Sequence, residues 1–289
     1  MSFTIQERPT AQQLVDAFVN PGSGVTTENL SITGNAQCVA LYSGASSVVT
    51  DPTINFPDTG LIIGTGLPSS LYNQDGTESY YDFGTPGDLD ILALGGDITI
   101  TSHDACILQF DFSCNNIAGG WARMDYVFSS DEYREQVTEG NGFADVFGLL
   151  LNGENIATVP GTNDPVGVYT INHIQESEYF VFNDPRPGQG LYPGFEPDGF
   201  TVGLQAEGYI QPGLNTMKIG IVDVNDAFFD SWLFLKQGSF RCIEDPLATW
   251  PPTAAPTPAP TNLDADTADP NCQGSACGGE HFFNRLSVV

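Results

Sequence analysis

The stretch Ile107-Leu-Gln-Phe-Asp-Phe112 alternates strictly. Ile107, Gln109 and Asp111 fall on one face and Leu108, Phe110 and Phe112 on the other, which is the two-residue period of a half-buried β-strand. Stretches of the same kind lie on both sides. VTTENLSITG (25–34), CVALYSG (38–44), GLIIGTG (60–66) and DITITS (97–102) come before it. After it come ARMDYVFSS (122–130), DVFGLLLNG (145–153), NIATVPG (155–161), GVYTINHI (167–174), GFTVGLQAEG (199–208), MKIGIVDV (217–224) and SWLFLKQGSF (231–240). Gly, Asn, Asp or Pro separates them. Many short strands without helical patterns between them predict a mainly β chain, an antiparallel β-sandwich of jelly-roll-like kind.

One helix is expected outside this series. In TAQQLVDAFV (10–19) the apolar face is Leu14, Val15 and Phe18, and Thr10 with Gln13 three residues later fits a capping box. Asn20-Pro21-Gly22 ends it. After Asp245 the composition changes. Residues 1–245 read as the sandwich domain, 246–271 as a Pro/Thr-rich disordered linker with threonines suited to O-glycosylation, and 272–289 as a short cysteine-containing tail.

Charge narrows the function classes. The chain has 289 residues, of which 36 are Asp or Glu and 8 are Lys or Arg, a formal net charge of −28. Such a surface repels phosphate backbones and anionic lipid, so neither nucleic acid nor an anionic membrane is an expected partner. No run approaches the roughly 18 apolar residues of a membrane span. Six cysteines point to disulfides and an oxidising compartment. Six allow 15 pairings; local spacing favours Cys106 with Cys114 and Cys272 with Cys277, leaving Cys38 for Cys242. The first residues lack the apolar core of a signal peptide, which leaves a removed signal or a chain that is not secreted, and the cysteines favour a removed signal. One sequon, Asn29-Leu-Ser31, is consistent with an extracellular setting. Secretion or display at the cell surface is the expected localisation.

Motifs for catalysis are scarce. GxSxG, HExxH, GxxxxGK[ST] and GxGxxG are all missing. The adjacent pair Asp131 and Glu132 leaves a carboxylate-pair glycoside hydrolase as a minor alternative. The acids do cluster at strand ends: Asp131 and Glu132 after ARMDYVFSS, Asp145 before VFGLLL, Asp198 before GFT, and Asp223, Asp226 and Asp230 around the last long strand. Oxygens from several loops at one end of a sandwich are how such modules hold calcium. The competing reading makes the same acids turn caps and solvated surface. Asp125 is expected to face solvent or pair with Arg123. Tyr80, Tyr81, Tyr192 and Phe195 sit in Gly/Pro-rich loops, where aromatic rings stack on sugars or, more commonly, pack the loop onto the core. Phe147, Phe200, Phe234 and Phe240 are expected in the core, and Trp121 and Trp232 are open.

From Asp104 to Phe240 the segments DACILQFDFS, MDYVFSSDEY, ADVFGLLLNGENIATVPG, YFVFND, PDGFTVGLQA and PGLNTMKIGIVDVNDAFFDSWLFLKQGSF resemble the choice-of-anchor L domain. AQQLVDAFV, GVTTEN and GLIIGTG extend the resemblance to roughly residues 9–241. It implies a largely β module of secreted and surface proteins, with no catalytic residues attached to it. Asp131 stands where the family usually has Glu, and Ala144 where Asn is usual. The family's motif carboxylates coincide with Asp131, Glu132, Asp145, Asp198, Asp226 and Asp230. The expectation is therefore a non-catalytic structural or adhesive module with calcium as its possible cofactor and an extracellular protein or glycan as partner. A carbohydrate-binding module is the alternative.

Overall fold

The computed structural model describes residues 2–72, 79–96, 98–115, 117, 119–133, 135–139, 142, 144–183 and 191–244. In chain order the elements are β1 (Thr4–Glu7), α1 (Ala11–Phe18), β2 (Val25–Thr33), β3 (Val39–Ser43), β4 (Thr59–Gly64), α2 (Leu89–Leu92), β5 (Ser102–Cys114) and β6 (Gly120–Ser130). There follow α3 (Glu135–Glu139), β7 (Val146–Leu151), β8 (Glu154–Asn155), β9 (Phe180–Phe182), β10 (Gly199–Thr201), β11 (Leu204–Ile210), β12 (Leu214–Val224), β13 (Ser231–Lys236) and β14 (Arg241–Glu244). Short 3₁₀ turns fill several connections.

The strands form two antiparallel sheets. One runs β1-β3-β4-β13-β6-β10-β9, with β11 and β14 also paired to β6; the other runs β2-β5-β12-β7-β8. The sandwich is as expected. β6 organises the first sheet: β13 and then β14 lie along one edge, and β10 and β11 along the other. Leu108, Phe110 and Phe112 of β5 point into the space between the sheets, where they meet Met124, Tyr126 and Phe128 of β6 and Leu233 and Leu235 of β13. Helix α1 closes one side with Leu14, Val15 and Phe18, and both halves of the Thr10–Gln13 capping box are made.

Each sheet is also partly covered on its outer face. On the larger sheet, Ile62, Val127, Phe234 and Trp232 lie under loops carrying Tyr192, Phe195 and Phe56. On the smaller, Ile107, Leu150 and Val222 lie under Ile91 and Leu92 of α2. Ile107 is therefore buried although it belongs to the polar face of its strand. Gly148 and Gly220 pair directly across β7 and β12, and a Cβ on Gly220 would collide with Ile91 and Ile107. The glycines let α2 approach the sheet closely.

Several expected strands differ. Residues 98–100 lie in a turn and bend, and β5 starts at Ser102. Segment 167–174 is a chain of turns, because the amides of Thr170 and Ile171 both return to the Gly167 carbonyl (3.1 and 3.0 Å). Its Val168 and Ile171, three residues apart, are buried all the same. Only Asn155 of 155–161 is in a strand. GFTVGLQAEG is two strands, broken at Val202 and Gly203. β1, β9, β14, α2 and α3 were not legible as elements.

The disulfides connect Cys38 to Cys106 (Cα–Cα 5.9 Å) and Cys114 to Cys242 (6.2 Å), correcting the expected Cys106–Cys114 and Cys38–Cys242 pairs. Cys106 and Cys114 both lie on β5. Eight residues of extended chain hold them about 26 Å apart, well beyond the roughly 7 Å limit between bridged Cα atoms. Both bridges run from β5 to the other sheet. Cys272 and Cys277, the linker and the tail lie outside the described residues.

Candidate functional site

Strand register assembles the acids. Ser130, the last residue of β6, is paired with Gly199 of β10 on one side and Ser231 of β13 on the other. Asp198 and Asp230 precede those two residues, and Asp131 follows Ser130. The three aspartates thus stand in a row across three strands, and the Asp131 amide donates to the Asp230 carbonyl (3.1 Å). A second row forms on the other sheet. Val146 pairs with Val222, which places Asp145 against Asp223, and Asp223 pairs with His103. Glu132 links the rows, accepting the Asp145 amide at 2.6 Å.

Asp131, Glu132, Asp145, Asp198, Asp223 and Asp230 are all buried. Most of their oxygens are met by backbone amides and hydroxyls. Asp131 accepts from the amides of Ser79 (2.8 Å) and Asp198 (3.3 Å). Asp230 accepts from the Ser79 hydroxyl (2.8 Å) and the Tyr81 amide (3.0 Å). Asp145 accepts from the Val224 amide (3.3 Å) and the Thr65 hydroxyl (3.4 Å). Asp223 differs. It is 2% exposed, and neither carboxylate oxygen has a hydrogen-bond partner. Among the described residues, none of Asp131, Glu132, Asp145, Asp223 and Asp230 forms an ion pair.

The electrostatic consequence is uniform. Burial pushes the carboxyls of Asp131, Glu132, Asp145 and Asp223 well above the usual range. Neighbouring acids add to it: Asp198 acts on Asp131, Glu132 on Asp145, and Asp145 on Asp223. For Asp223 the nearby Thr65 hydroxyl, which donates to Asp145 and stands outside hydrogen-bond geometry to Asp223, offsets part of the rise. Asp230 is pushed up to about 6, chiefly by burial and against the pull of Ser79 and Tyr81.

Other site residues meet the structure differently. Asp226 is half-buried and accepts the Phe228 amide (3.2 Å) as a local turn cap. Asp131 and Glu132, the pair considered for glycoside hydrolysis, are 2% and 1% exposed and present no carboxyl to solvent. Tyr80 and Tyr81 are exposed, at 65% and 41%. Tyr192 and Phe195 are not: Tyr192 is buried against Phe200 (5.8 Å) and Phe195 is fully buried, so both belong to the core rather than to a sugar-stacking surface. Phe147, Phe200, Phe234, Phe240 and Trp232 are core, whereas Trp121 is exposed. Asp125 pairs across strands with Lys236 (3.2 Å), while Arg123 pairs with Glu207.

Residue reading missed Asp104, Thr65 and Gly66. Asp104 is 1% exposed and accepts from Phe83 (2.6 Å) and Thr85 (2.7 Å), fastening the 79–85 loop that also binds Asp131 and Asp230. A Cβ on Gly66 would collide with the Asp230 carboxylate. Asp104 opens the DACILQFDFS segment near the start of β5, and an acid at that position is the one signal available beforehand. Among the described residues, no three His, Cys, Asp or Glu side chains are arranged to hold one metal ion. No helix among them is long and apolar enough to cross a membrane.

No curated protein and no solved structure matches the chain. The model of the family described as the choice-of-anchor L domain matches residues 4–241, from the start of β1 to the first residue of β14. The chain therefore belongs to the choice-of-anchor L domain family.

Proposed function

We propose that this domain is a non-catalytic module with a structural or adhesive role, and that calcium completes its buried acidic end. Its standing as a cell-surface or extracellular module follows from the family. The observation that carries the calcium reading is Asp223. A buried carboxylate without hydrogen bond or counter-ion is costly, and Asp145 lies beside it in the register. A hard cation relieves both, and calcium takes about six to eight oxygens at about 2.3–2.6 Å. Because no three carboxylates among the described residues converge on one point, hydroxyl, carbonyl and water oxygens would complete the shell.

A second reading is favoured by the lack of a three-carboxylate constellation among the described residues. In it, protons shared within the rows neutralise the acids and no ion is needed. Thermal unfolding of the full chain at neutral pH separates the two. It is run in excess EDTA, in about 1 mM calcium and in about 1 mM magnesium at constant ionic strength. A ligand at about 100 times its Kd adds about 2.7 kcal/mol, worth several degrees in a domain of this size. A rise with calcium alone is the expected result. Coincident curves would overturn the calcium reading.

A further inference from the structure

Among the described residues, loops cover the outer face of the larger sheet at only one end. At the other, β11, β6 and β14 lie side by side with their outward residues in register. Tyr209 faces Trp121, which faces Ile243. One step along, Glu207 faces Arg123, which faces Arg241. One step further, Gln205 faces Asp125, which is bound by Lys236. Trp121, Arg123 and Asp125 form a row about 13 Å long at the pleat spacing.

Two features set this face apart. The first is its rings. Trp121 and Tyr209 are 37% and 50% exposed and stand edge to face at 5.4 Å and 84°. Strands, not loops, hold this exposed aromatic pair. The second is its charge. In a chain of net charge −28 with eight basic residues, three of the eight (Arg123, Arg241 and Lys236) meet here against two acids, Glu207 and Asp125. Arg123 and Lys236 are paired with those acids. Arg241 donates to the Ser239 carbonyl (2.9 Å) and has no carboxylate partner among the described residues. It also stands directly opposite Arg123, and like charges directly opposite are destabilising.

We propose that this uncovered half-face is a binding platform for an acidic glycan, a chain bearing uronic-acid carboxylates. The Arg241 fork, which has no carboxylate partner among the described residues, can donate two parallel hydrogen bonds to a planar carboxylate, and the added anion relieves the Arg241–Arg123 opposition. The Trp121–Tyr209 shelf takes the apolar face of the adjoining sugar ring. Gln205 and Asp125 offer hydrogen bonds to its hydroxyls and line, with Lys236, Asn55 and Pro57, a cavity of about 170 Å³ at the end of the row. The site is local: the rest of the acidic surface repels a polyanion, so binding depends on contact rather than on long-range attraction. It is also separate from the acidic end. Trp121 and Asp131 are ten residues apart along β6 and beyond its end, about 33 Å, so the calcium reading and this one stand or fall independently.

The test is calorimetric titration of the full chain, in EDTA, with an oligogalacturonate, with its methyl ester and with a neutral glucan. The chelator keeps uronate-bound calcium out of the measurement. The expected result is binding of the oligogalacturonate, weakened at least about tenfold by esterification, by Arg241→Gln and by Trp121→Ala, with Tyr80→Ala unchanged. Melting curves of the surface variants that match the parent show that the fold is retained. No binding of the uronate, equal binding of its ester, binding of the neutral glucan alone, or loss in Tyr80→Ala with Trp121→Ala unaffected would each overturn the proposal.

Discussion

Glu132 and Asp145 are joined by a hydrogen bond that serves only one of them. The Asp145 amide donates to Glu132 Oε2 at 2.6 Å and draws the Glu132 carboxyl down, while the Glu132 charge, after burial, raises Asp145. The same asymmetry runs through the acidic end. Backbone amides satisfy individual oxygens, but no side-chain cation among the described residues neutralises Glu132, Asp145 or Asp223. Neutralisation falls to protons or to a bound ion, and the two respond oppositely to pH.

In EDTA the domain should lose stability as pH rises. The folded values of these carboxyls lie above their unfolded ones, so their favourable contribution is complete below about pH 4 and is lost as pH passes the folded values. For Asp230 that passage is near 6, and for Asp131, Glu132, Asp145 and Asp223 it lies in the same direction. Urea unfolding at intervals from about pH 4 to 8 should show stability falling through about 6. Added calcium should flatten or invert that slope above about 6. A slope in EDTA that rises with pH would contradict the assignment.

Asp223→Asn and Asp104→Asn should move stability in opposite directions. In EDTA at neutral pH, removing the unpartnered charge of Asp223 should stabilise by about 1–3 kcal/mol and abolish any response to calcium. Asp104 accepts from two amides and the Thr85 hydroxyl. Asp104→Asn turns one acceptor into a donor facing a donor, and should cost about 1–3 kcal/mol. Equal signs would mean that the two carboxylates have the same environment.

Gly66→Ala tests how tightly the acidic end is packed. The new methyl group would fall on the Asp230 carboxylate, and overpacking of this kind costs about 1–3 kcal/mol. The variant should melt lower and respond less to calcium. An unchanged melting curve would show that Asp230 can move away freely.

Non-reducing peptide mapping should recover Cys38 linked to Cys106 and Cys114 linked to Cys242. The bridges close loops of 68 and 128 residues, each worth about 4 to 5 kcal/mol in the chain-entropy description. Cys38→Ser with Cys106→Ser, and Cys114→Ser with Cys242→Ser, should each lower the melting temperature strongly. Recovery of a Cys106–Cys114 peptide would contradict the placement of both residues on β5.

Much of this arrangement was legible beforehand where the cause is local. The β5 alternation, the Thr10–Gln13 capping box and the acids at strand ends all follow from periods of two to four residues. Where local pattern misled, tertiary context supplied the difference. Segment 167–174 is rich in β-branched and aromatic residues like a strand, yet Gly167 accepts two amides and folds it into turns that still bury Val168 and Ile171. Tyr192 sits among glycines and prolines like an exposed loop aromatic, yet Phe200 and the outer face of the larger sheet cover it.

The sequence by itself determined that the chain is an acidic, cysteine-bearing, mainly β sandwich, because alternation, capping and composition act within a few residues; the choice-of-anchor L likeness rests instead on long motifs in fixed order. Only the tertiary structure decided which cysteines meet, which aromatics are sealed, and that Asp198, Asp131 and Asp230 form one row while Asp145 and Asp223 form another. It likewise placed Arg241 opposite Arg123 beside Trp121. The physical reason is register. Ser130 meets Ser231 101 positions later in the chain, and a shift of one residue in such a pairing turns every side chain to the other face. That choice is made by the packed core between the sheets, which no local pattern contains.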